Sequence, residues 1–123
     1  MRFGKKHKGK DSLVSDRILR ALYNWTAGKG YCRQYPSYES IAQDLDVSPD
    51  QLAWFCPEAL GVRFRSLRKR QRVAYAALLM RLDADMPAFA AGQKAGISDK
   101  SDFRRQFTEV MRMAPEDWRA LSG

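Results

Sequence analysis

The chain has 123 residues, 45% apolar and 11% aromatic, with 22 Lys and Arg against 14 Asp and Glu for a net charge of +8. That length fits one compact unit or two small lobes, and the apolar content excludes wholesale disorder. Two cysteines, Cys32 and Cys56, and a single histidine, His7, give no zinc-ligand spacing, no CxxC pair and no thiol with a base close by. Metal, cofactor and catalytic sites are therefore not expected, and neither is an enzyme. No apolar run reaches the roughly 18 residues of a membrane span. The first residues lead into no secretory signal, so a cytoplasmic protein with reduced cysteines and no membrane partner is expected.

In chain order, residues 1–12 form a basic arm: Arg2, Lys5, Lys6, Lys8 and Lys10 precede the first acid, Asp11. Such an arm reads as a flexible, phosphate-seeking tail. Helix one is expected over residues 13–25, with Leu13, Ile18, Leu22 and Trp25 on its buried face, and Gly28-Lys29-Gly30 ends it. Helix two opens after Ser37 as N-cap and buries Ile41, Ala42 and Leu45. Asp46-Val47 makes a turn. Helix three starts with Ser48 as N-cap and Pro49 at the first helical position, where the missing donor costs nothing. Leu52, Phe55 and Cys56 point inward, which leaves Asp50, Ala53 and Trp54 outward. Pro57 should shorten or kink the helix after Cys56.

Residues 36–59 hold no Lys or Arg but carry Glu39, Asp44, Asp46, Asp50 and Glu58, a local charge of −5. The sign then reverses. Arg63, Arg65, Arg68, Lys69, Arg70 and Arg72 fall within ten positions and have no acid among them. They lie at the start of a long helix four, residues 65–82, which links two lobes. Pro87 opens a short helix five, closed by Gly96. Ser98 is expected to cap helix six, residues 99–111, whose Phe103, Phe107, Val110 and Met111 form a buried stripe at helical spacing. Pro115 begins a last helical turn carrying Trp118.

The expected fold is thus all-α, about seven helices, with two helix-turn-helix lobes joined by a long linker helix. Its divisions are the arm at 1–12, an acidic first lobe at 13–62, the linker helix at 63–82 and a second lobe at 83–123. In a helix-turn-helix, the second helix of the pair is the one shaped to enter a major groove.

The run Gly96-Ile97-Ser98-Asp99-Lys100-Ser101-Asp102-Phe103-Arg104-Arg105-Gln106-Phe107, followed by Met113-Ala114-Pro115-Glu116-Asp117-Trp118-Arg119, resembles the signature of the AraC/XylS family of transcription regulators. That signature reads G-F-S-D-x-S-x-F-x-R-x-F with a closing T-P-x-x-Y/W-R. Upstream, Ser37-Tyr38-Glu39-Ser40-Ile41-Ala42, Val47-Ser48-Pro49 and Leu60-Gly61-Val62-Arg63-Phe64 resemble the family's first motif, and Arg70-Gln71-Arg72 its linker helix. The resemblance covers nearly the whole chain. It implies a DNA-binding regulator, an activator, binding double-stranded DNA as a monomer on an asymmetric site with RNA polymerase as a further partner.

On that reading Lys100, Ser101, Arg104 and Arg105 meet base edges. Ser98, Arg65, Arg68, Lys69 and Arg72 meet phosphates. Asp102 has three roles open to it: accepting from cytosine, orienting Arg105 or facing water. The chain also departs from the family. Asp50, Ala53, Trp54 and Pro57 stand where helix three usually carries Arg, Gln, Ser or Lys, Arg112 replaces a usual Gly, and Ala114 a usual Thr. Asp50, Ala53 and Trp54 therefore suit a protein partner as well as DNA. The competing reading makes the acidic first lobe a docking module for polymerase or another regulator.

Overall fold

A computed structural model describes the backbone of residues 8–121 and the side chains of residues 13–121. Arg2, Lys5 and Lys6 of the basic arm lie outside the described residues. Those described form seven α-helices and no strand, so the fold is all-α: α1 (Lys8–Ala27), α2 (Tyr38–Leu45), α3 (Pro49–Phe55), α4 (Phe64–Leu82), α5 (Ala88–Lys94), α6 (Lys100–Met111) and α7 (Pro115–Leu121). The chain divides into two compact units. One takes in Met1–Gly30 and Gln34–Leu67, the other Tyr31–Arg33 and Arg68–Gly123.

In the first unit α1, α2 and α3 pack on one another. The α1 stripe is Ile18, Leu22 and Trp25, all buried. Leu13, expected on that stripe, is 76% exposed. Five residues before Ile18 is about 140° round a helix, whereas Val14, four before, is in register and half-buried. The helix also starts earlier than residue 13, at Lys8.

The helix-turn-helix at α2 and α3 is held by two reciprocal caps. The Ser37 hydroxyl accepts from the Ser40 amide at 3.2 Å while Ser40 Oγ accepts from the Ser37 amide at 3.1 Å. Ser48 and Gln51 repeat the device at 3.0 and 3.1 Å. Each cap satisfies two amides that a helix start leaves open. Between them Asp46 turns the chain with a left-handed φ of 58°. Trp25 stacks at a tilt on Phe64, centroids 5.4 Å apart, and its Nε1 donates to Tyr35 Oη at 3.0 Å.

Pro57 acts as its chemistry requires. It cannot donate to the Ala53 carbonyl, and its ring crowds that carbonyl. The α-helix accordingly ends at Phe55, and Cys56–Leu60 continue as one π-helical turn closed by Gly61 at a φ of 72°. The extra residue per turn is how the helix absorbs the missing bond.

The second unit is built on Val73, Ala76, Ala77 and Met80 of α4, Ala91, Ala95 and Ile97 of α5 and its turn, and Phe103 and Phe107 of α6. Trp118 of α7 donates to the Ala77 carbonyl at 3.2 Å and carries the Arg81 guanidinium over its ring at 3.9 Å. Arg119 gathers the end of α4, donating to the carbonyls of Met80, Ala84 and Met86. The cap of α6 is Asp99, not Ser98: Asp99 Oδ1 accepts from the Asp102 amide at 2.8 Å, and Ser98 stands exposed one residue outside.

Candidate nucleic-acid interface

Helix α6 is amphipathic because Phe103 and Phe107, one turn apart, are buried with their rings 5.6 Å from each other. That seam leaves Lys100, Ser101, Arg104 and Arg105 exposed. At about 100° per residue these four fall within an arc of about 140°. Thr108 is exposed in the middle of the same arc, a position the sequence reading passed over. The second helix of a helix-turn-helix thus presents one Lys, two Arg and two hydroxyls on a single face, the donor types that suit base edges and phosphates.

Both arginines of that face are engaged with carboxylates. Arg104 makes a two-pronged pair with Glu116 of α7, Nη1 to Oε2 at 2.8 Å and Nη2 to Oε1 at 2.7 Å. Hydrogen bonding and charge from Arg104 hold the Glu116 carboxyl below its usual range. Arg105 Nη2 donates to Asp102 Oδ1 at 2.6 Å, one turn back on α6. Of the roles open to Asp102, the structure therefore places it on Arg105. Glu116 was missed, since nothing in a spacing of twelve residues across a turn announces that contact. These pairs are exposed, and exposed ion pairs contribute little, so a DNA ligand competes with them at small cost.

The basic start of α4 behaves differently along its length. In the first unit, Arg65 is exposed. In the second, Lys69 Nζ pairs with Glu109 Oε1 at 3.0 Å. Arg68 and Arg72 are half-buried and turned onto the segment Tyr31–Arg33: Arg72 Nε donates to the Tyr31 carbonyl at 2.6 Å, while Arg68 Nη2 and Arg72 Nη2 donate to the Arg33 carbonyl at 2.8 and 3.1 Å. Burial, with the charge of Arg68 beside it, pushes the Arg72 guanidinium down to about 10.

On α3, Asp50 and Ala53 are exposed as expected, but Trp54 is half-buried, its ring tilted against Phe55 at 6.4 Å between centroids. The exposed face of α3 carries no cation. Among the described residues no cluster of His, Cys, Asp and Glu could hold a metal ion, and no helix is long and apolar enough to cross a membrane.

The profile of the family described as "Helix-turn-helix domain" matches residues 41–121. Two proteins named "Arabinose operon regulatory protein", from Salmonella typhimurium and Escherichia coli, are each 32% identical to the chain over 81 residues, or 66% of its length. The matched stretch spans 28% and 27% of those relatives, so the chain corresponds to about a quarter of their length. A solved structure of a protein of unknown function from Listeria innocua has a TM-score of 0.71, with 22% identity, over 85% of this chain and 95% of that one. At that identity the likeness bears on fold alone.

Proposed function

The chain belongs to the AraC-type helix-turn-helix family, and from that premise we propose that it is a sequence-specific, DNA-binding transcription regulator that reads the major groove with α6. The observation that carries this reading is the exposed arc of α6, with Lys100, Ser101, Arg104 and Arg105 outside the buried Phe103 and Phe107 seam. Arg104 and Arg105 suit guanine O6 and N7, and Ser101 suits several edges. Lys100 lies in the first turn of α6, where the helix dipole favours an anion.

Phosphate contacts come from Ser98, just before that helix, and from the basic run of α4. Arg65 is exposed, and Lys69 shares its charge with Glu109. Arg68 and Arg72 contribute a positive field from behind their carbonyl partners. Activation as the sign of regulation, binding as a monomer and RNA polymerase as a partner rest on the family resemblance, and a cytoplasmic location goes with the DNA-binding role.

A second reading is favoured by the first unit, where α3 shows Asp50, Ala53 and Trp54 within a stretch of charge −5. Here α3 is a protein-docking face for polymerase or another regulator, because phosphates repel that charge. A salt titration of binding to random duplex DNA separates the two. The DNA reading gives a linear fall of log affinity with log salt, about 0.9 for each phosphate neutralised. No binding at low salt would leave only the docking reading.

A further inference from the structure

Glu116 stands at the first position that the closing motif leaves open, on a helix that is well anchored. Pro115 before it is buried, Trp118 donates to the Ala77 carbonyl, and Arg119 donates to the carbonyls of Met80, Ala84 and Met86. At the other end of the connection α6 is closed by Arg112, whose amide donates to the Thr108 carbonyl. A carboxylate carried on such a base is held at a fixed place relative to α6.

The pair it makes with Arg104 differs in kind from the other pair on this face. Arg105 meets Asp102 through one nitrogen, from within the same helix. Arg104 donates to Glu116 from both terminal nitrogens, each to its own carboxylate oxygen, at 2.8 and 2.7 Å. Two parallel bonds fix the plane of a guanidinium as well as its position, which one bond does not do. The two side chains are 58% and 59% exposed, so the pair stays open to a ligand arriving from solvent. A guanidinium has five N–H groups, and this pair uses one from each terminal nitrogen. The side edge, Nε with the outer N–H of Nη2, is a second fork. It matches the two acceptors O6 and N7 of guanine. Displacing Glu116 costs little, but a guanine does not require it.

We infer that Glu116 is a positioning residue for base reading: it holds the end of the Arg104 guanidinium, presents the side edge to a guanine and remains paired in the complex. This rests on the proposal that α6 reads the major groove. The gain is entropic. An arginine that samples its rotamers loses that freedom on meeting a base, whereas one already held has lost it beforehand. Ordering one such side chain corresponds to about 2- to about 12-fold in affinity. Random duplex lacks a guanine in register and gains nothing comparable. The repulsion of phosphates by the carboxylate falls on every duplex alike and cancels in a ratio of affinities.

The test measures affinity for a selected duplex and for random duplex in the parent, Glu116→Ala, Arg104→Ala and the double variant. Glu116→Ala should lower the ratio of selected to random affinity by about 2- to about 12-fold. In the Arg104→Ala background the same substitution should leave the ratio unchanged, since no guanidinium remains to be positioned. Glu116→Gln offers one acceptor instead of two and should fall between the parent and Glu116→Ala. A ratio in Glu116→Ala at or above the parental value overturns the inference, because Glu116 then only competes with the base. An equal fall in the Arg104→Ala background also overturns it, because Glu116 then acts without Arg104, on a base of its own or through the fold of α7. If Arg104→Ala itself keeps the parental ratio, or the parent binds no duplex at low salt, the reading of bases by Arg104 fails and the inference with it.

Discussion

Arg112 ends α6 in the left-handed region, with a φ of 63°. Its amide donates back to the Thr108 carbonyl at 2.9 Å, so the geometry is a proper helix stop occupied by a residue with a Cβ. The left-handed form costs a non-glycine residue roughly 1–2 kcal/mol, and part of that gain is returned as lost entropy when glycine is used instead. Arg112→Gly is expected to raise unfolding stability by about 0.5–1 kcal/mol, read from the urea midpoint; a lower midpoint would count against the strain. Cys56 is fully buried, which raises its thiol to about 11 from 9.0. The folded value lies above the unfolded one, so the stability it lends is complete below about pH 9 and lost as pH rises through about 11. The fall in stability between about pH 8 and about pH 10 should be smaller in Cys56→Ala than in the parent. An equal fall would mean that the thiol does not titrate as its burial implies. At this scale the sequence was legible wherever a contact is local. Asp102 and Arg105 sit one helical turn apart, and their pairing was among the foreseen options. Arg104 with Glu116, and Arg72 with the Tyr31 carbonyl, were not legible, because only the packed fold brings those groups together.

The elements were legible at their caps and stops more than in their lengths. Ser37 and Ser48 cap α2 and α3 as their residue types suggest, and Asp46, the foreseen turn residue, takes the left-handed conformation. At α6 two residues with capping side chains stand side by side, and the one expected to cap, Ser98, is not the one that does. The structure chooses Asp99. Asp99→Ala is expected to cost about 1 kcal/mol of stability and Ser98→Ala under about 0.5 kcal/mol. The reverse order in urea denaturation would return the cap to Ser98. Leu13 was misplaced because apolar character was weighed without angular register; Val14 is the residue in phase with Ile18. Pro57 was read correctly as the end of the α-helix. The π-helical turn through Cys56–Leu60 was not foreseen, since a proline announces that a bond is missing without saying how the chain closes around the gap.

Over the whole molecule, cations are unevenly distributed between the exposed faces of α3 and α6. The first unit has a well-capped helix-turn-helix whose exposed α3 face lacks a cation. In the second, α6 carries cations and hydroxyls on one arc. A DNA complex is accordingly expected to protect about one major-groove segment with flanking phosphates. Trp54→Ala, in a variant verified as folded, should change DNA affinity by under about threefold, or roughly 0.7 kcal/mol, and weaken binding to a protein partner. A tenfold loss of DNA affinity would assign α3 to the groove.

The central claim, that α6 reads base edges, is tested most directly by the ratio of affinity for a selected duplex to that for random duplex, measured for the parent, Arg104→Ala and Arg105→Ala. Each arginine that makes a two-pronged contact to a base contributes roughly 1–3 kcal/mol of discrimination, so each substitution should lower the ratio by between about 5-fold and about 150-fold. Equal losses on both duplexes, leaving the ratio at its parental value, would contradict base reading by α6 and reduce the two arginines to phosphate contacts.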